Sequence, residues 1–340
     1  MSETIRIRKP DDFHVHLRRG QILKSVVNFT AYQFQRAVIM PNTDPPILDY
    51  QDARNYRQEI MSALNPLNSN FRPLMTIQIT DNTTPEIVEL AYNDGAIAGK
   101  VYPQGVTTNS KNGITDFEKS YPVFEKMQNI GMVLSLHGEA PDPSISCMDK
   151  EREFLFILIQ LAKDFPKLKI VLEHVSTADG VRMVCGLPKN VVGTITIHHL
   201  LLTIDDVIGQ PHNYCNPIAK THKDICALQE AVISGNPKFF FGSDSAPHPI
   251  NKKECFNASA GIFSAPVALP LLTELFERLD ALENLEPFTS VFGAEFYELP
   301  LNQEHIELEK KPWGVPSQYN GIVPFWTGRT GRNISWLIKQ

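Results

Sequence analysis

At 340 residues the chain has room for two average domains, although single α/β barrels also run to this length. Its 42% hydrophobic and 21% charged residues are those of an ordinary globular protein, and a net charge of −6 argues against the clustered positive face of a nucleic-acid binder. The opening residues lack the apolar core of a signal peptide. The densest apolar run, 154–162, is far short of the roughly 20 residues that span a bilayer, so a cytoplasmic protein without membrane contact is expected.

The first strand-like segment reads Asp11-Asp12-Phe13-His14-Val15-His16-Leu17-Arg18. Residues i and i+2 of a strand share a face, so His14 and His16 can both offer a ring nitrogen to one metal ion. A lone His-x-His also arises by chance, with one ring packed in a core. The chain then alternates in character. Short β-branched runs at 36–40, 74–80, 98–101, 132–137, 169–174, 191–197 and 239–242 are separated by helical spacing at 51–63, 84–93, 116–130, 150–164, 177–186 and 223–234. Thr84-Pro85 reads as a helix cap followed by a first-turn proline. Strands alternating with helices imply βαβ units and a parallel sheet. With the opening strand the count is eight, which predicts a single (β/α)8 TIM barrel over 1–340 with its site at the C-terminal strand ends. The competing doubly wound sheet lacks its Gly-x-Gly-x-x-Gly turn. The tail from 282 is predicted as a helical stretch and then a Pro/Gly-punctuated region packed outside the barrel. Five widely spaced cysteines form no Cys-x-x-Cys pair and no disulfide framework; Cys185 and Cys226 are read as core fillers and Cys255 as exposed.

Polar residues fall at the same end of the predicted strands: Lys100, His137, His174 and Asp244. Taken singly, such a histidine is more often a loop hydrogen-bonder, such an aspartate a helix cap and such a lysine a solvated charge. Their joint appearance in register with His14 and His16 points to a metal site. Four histidines and a carboxylate suit zinc and are too many for one open tetrahedral site, so two ions are implied. Two adjacent cations need a bridging anion. A neutral Lys100 amine that captures CO₂ would supply one as a carbamate.

These residues resemble the amidohydrolase superfamily, and within it the dihydroorotase family of the short bacterial type. The likeness runs through nearly the whole chain and is carried by the His14-x-His16 segment, Met40-Pro41-Asn42, Lys100-Val101-Tyr102-Pro103, Thr107-Thr108-Asn109-Ser110, His137-Gly138-Glu139, Glu173-His174 and Gly242-Ser243-Asp244-Ser245-Ala246-Pro247-His248. It implies that His14, His16 and Asp244 bind one zinc, that His137 and His174 bind the other, and that carboxylated Lys100 and a hydroxide bridge them. It further implies that Arg18, Asn42 and His248 hold a substrate carboxylate and ring, with His137 also facing the substrate and with backbone help at Asn216 and Ala260. Thr107 and Thr108 would lie on a mobile loop. The implied reaction is reversible closure of N-carbamoyl-L-aspartate to L-dihydroorotate, the third step of pyrimidine synthesis. The hydroxide would be the nucleophile, Asp244 the general acid and base, and the enzyme a homodimer. His14 comes too early for an N-terminal β-sandwich. The chain departs from the family at Arg19, where an acidic residue is expected, at Asn216, which replaces an apolar one, in a shortened 202–214 segment, and in keeping Cys255 alone of a cysteine-rich stretch. His198 and His199 are read as structural, with a substrate-side role open to His199. The rivals are another cyclic-amide hydrolase, such as a hydantoinase or dihydropyrimidinase, and a catalytically dead scaffold barrel.

Overall fold

The computed structural model describes residues 3–328 and 333–339. After β1 (Thr4–Arg8) come β2 (Asp11–Val15), β3 (Arg36–Ile39), β4 (Arg72–Ile79), β5 (Ala98–Val101), β6 (Val133–His137), β7 (Ile170–Glu173), β8 (Val191–Ile195) and β9 (Phe239–Phe241). Strands β2 to β9 form one parallel sheet whose spatial order is the chain order. Helices α1 (Gly20–Gln33), α2 (Tyr50–Ala63), α3 (Pro85–Asn93), α4 (Tyr121–Ile130), α5 (Lys150–Asp164), α6 (Ala178–Gly186) and α7 (His222–Ile233) connect them, and α8 (Ile250–Lys253) and α9 (Ala268–Arg278) follow β9. The architecture is a nearly closed (β/α)8 barrel, and all eight predicted strands are present. Closure occurs just past β9. There Ser245 bridges Val15, the Ser245 carbonyl accepts from the His16 N–H at 3.0 Å, and the Asp244 N–H donates to the His14 carbonyl at 2.8 Å.

Helix starts follow local chemistry. The Thr84 hydroxyl accepts from the Ile87 N–H with Pro85 in the first turn, as the sequence predicts. Asp49 caps α2 by accepting from the N–H groups of Gln51 and Asp52. Inside the barrel the two-residue period of a strand sets the layers. A lower apolar layer holds Val38, Ala98, Val133, Val171, Val192 and Phe240, joined by Ala294 and Tyr297 from α10 (Phe292–Phe296) and its C-terminal edge. Two residues further along the same strands lie Lys100, Ser135, Glu173 and Thr194, all buried. The polar layer is thus one step closer to the mouth. Gly293 permits the plug from below, since a Cβ there would lie 2.2 Å from a ring carbon of Phe13.

Three features depart from the sequence reading. The tail contains β10 (His305–Trp313) and β11 (Ile334–Ile338), which with β1 make a small antiparallel sheet in the order β1-β10-β11. The segment before His14 is therefore long enough for one strand of a flanking sheet. Helices α1 and α9 complete the barrel, although the sequence reading places no helix at either position. Cys185 and Cys226 are exposed, not core fillers, whereas Cys215 is buried; Cys255 is exposed as predicted. Cys185 and Cys226 each sit one residue beyond a buried one (Val184, Ile225), about 100° round the helix from the inward stripe.

Candidate metal centre

β2 carries His14 inward, and His16 follows just past the strand end on the same face. The barrel seam then places Asp244 against both. His16 Nε2 lies 3.1 Å and His14 Nε2 3.4 Å from Asp244 Oδ1, and the two ring nitrogens are 3.3 Å apart. Three atoms that each sit about 2.1 Å from one tetrahedral zinc are separated by roughly 3.4 Å, so this triad has the spacing of a shared cation. His137 ends β6 and His174 follows β7; their rings stack edge to face with centroids 4.7 Å apart, and His174 is 5.2 Å from His14. Lys100 lies beneath them, fully buried, with its Nζ unpartnered and 4.8 Å from the Tyr102 ring centroid. A buried ammonium without an anion is costly. Burial pushes the Lys100 amine down to about 8, against the attraction of Glu173 and Asp244. The residues fit a dinuclear metal pair bridged through a modified lysine: three ligand atoms at cation spacing, two further histidines beside them, and a buried amine that hydrogen-bonds to nothing.

Carboxylates stand behind the imidazoles. Glu173 Oε2 is 2.8 Å from His14 Nδ1 and accepts from the Thr194 hydroxyl at 2.7 Å, while its other oxygen accepts from Ser135 at 2.5 Å. Glu139 is 2.8 Å from His137 Nε2. Asp12 accepts from the Ser243 hydroxyl at 2.5 Å, the Ser243 N–H at 2.8 Å and the His14 N–H at 3.1 Å, which locks β2 to the end of β9. Glu173 and Glu139, which meet ring nitrogens, fix the tautomer and ring angle of His14 and His137, and Asp12 holds the His14 backbone. The sequence reading assigns them no role, yet the signal was there: Glu139 follows His137, and Asp12 precedes His14, by the same two-residue step that links His14 to His16. Arg18, His174 and Asp244 all have left-handed φ (59°, 42° and 41°), a sparsely populated conformation for residues with a side chain.

Electrostatics keeps the site's protons sparse. Burial pushes His16 down to about 4 despite Asp244, and His137 and His174 are lowered by burial as well. Burial alone would raise Asp244; its hydrogen bond to His16 and the neighbouring imidazoles outweigh that and hold it well below the usual carboxylate range.

Above the imidazoles a narrow cleft is lined by His14, His16, Arg18, Asn42, Tyr102, Thr107, Thr108, His137, His174, Asn216, Asp244, Ala246, Ala260 and Gly261. Of the residues singled out from the sequence, Lys100 lies below this cleft and His248 beside it. Arg18 Nη2 donates to His248 Nε2 at 2.9 Å, and the same nitrogen is 3.0 Å from the Ala260 carbonyl. One imidazole nitrogen cannot accept from a guanidinium and donate to a carbonyl at once. An anion that takes the Arg18 donor removes the conflict. The Thr107–Thr108 loop lies over the cleft: Asn42 donates to the Thr108 carbonyl at 3.0 Å, Asn109 to the Asn42 carbonyl at 3.0 Å and Asn216 to the Val106 carbonyl at 3.0 Å. Asn216 thus contributes its side chain and not only its backbone. Arg19 turns away, pairing with Glu59 at 2.9 Å over the Tyr56 ring. His198, His199 and Cys215 form a second buried cluster, but His199 places one nitrogen 2.9 Å from the Thr196 hydroxyl and the other 2.9 Å from the Pro217 carbonyl, which also accepts from Cys215. Those contacts fit a structural part for His199.

No family model matches the chain. It is 43% identical over 349 residues to the dihydroorotase of Nitrosococcus oceani, with 100% of each chain covered. The solved dihydroorotase of Campylobacter jejuni superposes with a TM-score of 0.90 at 39% identity, covering 100% of this chain and 98% of that one. The dihydroorotase of Saccharomyces cerevisiae, solved in complex with 5-fluoroorotic acid, superposes with a TM-score of 0.91 at 36% identity, covering 99% and 98%.

Proposed function

The chain belongs to the dihydroorotase family, hydrolases of cyclic amides, and on that premise we propose that it is a two-zinc enzyme that interconverts N-carbamoyl-L-aspartate and L-dihydroorotate plus water, the third step of pyrimidine synthesis. The observation that carries this reading is the meeting of the His14–His16–Asp244 triad with an Arg18–His248 pair across one cleft. His14, His16 and Asp244 would hold one ion, His137 and His174 the other, and a carboxylated Lys100 would lie between them. Such a pair, when bound, would supply a water ionised near pH 7 and an electrophile for the scissile carbonyl.

The chain's own groups do the rest. Asp244 is ionised at neutral pH, so its oxygen can take the proton of the attacking water and pass it to the leaving ring nitrogen. Arg18 can meet a carboxylate with two parallel donors, while His248 Nε2–H stays on the Ala260 carbonyl and holds that wall of the cleft. Asn42 and the backbone at Asn216 and Ala260 would frame the ring, His137 would face it, and the Thr107–Thr108 loop would exclude water as it closes. The ring carboxylate of the ligand in the yeast enzyme's complex fits the same demand for an anion site. A homodimeric, cytoplasmic enzyme belongs to this reading. Among the described residues no helix is long and apolar enough to cross a membrane.

The test is a comparison of substrates on the zinc-loaded protein. Carbamoyl aspartate and dihydroorotate should turn over with about two zinc per chain, and hydantoin, which lacks the carboxylate, at least 100-fold more slowly. Comparable hydantoin turnover would transfer the assignment to a hydantoinase.

A further inference from the structure

Lys253, the last residue of α8, is buried to 2% exposure, although it lies in a polar segment and belongs to none of the motifs that carry the family likeness. Its ammonium has three N–H donors and meets three carbonyls: Tyr214 at 2.9 Å, Ser259 at 2.9 Å and Gly261 at 2.7 Å. The same two chain segments are joined by a Gly261 N–H bond to the Tyr214 carbonyl at 2.9 Å. Gly261 has a φ of 146° and no room for a side chain, since a Cβ would lie 2.4 Å from the Ala246 carbonyl oxygen. Between the carbonyls that Lys253 grips lies Ala260, whose own carbonyl faces His248 at 3.0 Å and the Thr108 hydroxyl at 3.4 Å. One step past Tyr214 and Cys215 comes Asn216, which anchors the loop at Val106. A buried cation thus ties together the two backbone walls of the cleft opposite the imidazoles.

We propose that Lys253 is a positioning residue that sets the spacing of the 214–216 and 259–261 walls for a ring carrying a carboxylate, and so governs substrate affinity without touching the substrate. The inference rests on the dihydroorotase reading given above. A merely structural lysine would protect the fold as a whole. A positioning lysine controls KM while leaving kcat and the metal content alone, because neither wall supplies a reacting group.

The groups facing Lys253 are the Cys215 thiol, the Tyr214 ring, Arg18 and His248. Burial pushes the Lys253 amine down to about 8, the Cys215 thiol and the Tyr214 hydroxyl upward, and His248 down to about 2. Arg18 stays charged. Between pH 6 and 9 Lys253 is therefore the member of this group that titrates. On losing its proton it keeps two donors for three carbonyls.

The experiment compares zinc-loaded wild type, Lys253→Met and Lys253→Arg with dihydroorotate as substrate and orotate as a binding probe, from pH 6 to 9. Lys253→Met should raise KM and the orotate Kd at least tenfold at pH 7 with kcat within threefold and zinc per chain unchanged. In wild type KM should climb above pH 8, and in Lys253→Arg that rise should vanish because arginine does not titrate. An unchanged KM in Lys253→Met, or a fall in kcat and zinc together with KM, overturns the proposal. If the methionine variant does not fold, the decision falls to the pH profiles, and a wild-type rise that persists in Lys253→Arg overturns it. Wild type that is active on dihydroorotate while these effects are missing removes only the clamp; wild type inert toward dihydroorotate removes the functional reading and the clamp with it.

Discussion

Exchanging Asp244 for asparagine keeps the side-chain shape and one oxygen but removes the charge that His16 and His14 face at 3.1 and 3.4 Å. A single proton-transfer group contributes about 10²–10⁴ in rate, and here the same carboxylate is also a candidate ligand. Asp244→Asn should therefore lower kcat by about a thousandfold or more, while zinc at His137 and His174 persists; turnover within tenfold of wild type would refute the assigned role. Lys100→Ala removes the unpartnered amine buried beneath the imidazoles. It should lose metal and activity together, and added short-chain carboxylic acids should restore part of the rate by supplying the missing anion. Retention of two zinc ions and full turnover would exclude the carbamate bridge. At this scale much was legible, because ligand-type residues fall where period-two strands end. The carboxylates Asp12, Glu139 and Glu173 were harder. The two-residue step from His14 and His137 marks Asp12 and Glu139, but solvated acids share that spacing and Glu173 lacks it, so burial against an imidazole or a serine is what identifies all three. Likewise the Arg18–His248 contact spans 230 residues, which no local pattern encodes.

The loop over the cleft is fastened by single hydrogen bonds from Asn42, Asn109 and Asn216, each a side-chain amide donating to one backbone carbonyl. Latches of this kind are each worth about 1 kcal/mol, enough to hold a loop closed over substrate and weak enough to release it. Asn216→Ala removes the bond to Val106 but leaves the backbone contact in place. About 1 kcal/mol less for the closed state corresponds to a roughly fivefold higher KM for dihydroorotate with kcat within twofold, and faster proteolytic nicking within 104–112. An unchanged KM and cleavage rate would show that the loop is held by other contacts. The barrel strands were readable because each is a short, mostly apolar run, and several are followed by a helix with its own side-chain cap, at Asp49, Thr84 and Thr177. Helix α1 has the inward stripe Leu23, Val26, Val27, Thr30 and Ala31, but Arg19 gives it no side-chain cap and Gly20 begins it, so the start signal was missing. Strand β10 escaped for a different reason. In His305–Trp313 only Ile306 and Leu308 are buried, and the rest reads as a charged tail.

A barrel that gathers imidazoles at one rim and keeps them dry becomes sensitive to acid as a whole. His16 and His199 are pushed down to about 4 by burial, and His137, His174 and His198 are lowered as well, whereas an unfolded histidine titrates near 6.5. Between about pH 6.5 and 4 the unfolded chain therefore binds more protons than the folded one, so stability falls as pH falls through that window. Each imidazole contributes up to about 1.4 kcal/mol per pH unit. Buried carboxylates raised by desolvation act the other way: Asp12, pushed up to about 6, takes a proton in the folded state first and offsets one histidine, with Asp11 and Glu151 adding to the offset. Glu173 and Asp244 are lowered and so lose stabilising power only at more acid pH, on the side of the histidines. The lowered histidines outnumber the raised carboxylates, so the balance is a net loss of stability as pH falls from 7 to 5.5. Bound metal would steepen it, because ligating imidazoles must be unprotonated. Urea unfolding of chelator-treated protein at the two pH values measures the difference directly. A midpoint that stays put would mean that the rim histidines take up protons while folded, which would require water and counter-charge to reach His14, His16 and Asp244 and would undo the dry, cation-shaped pocket on which the proposed chemistry depends.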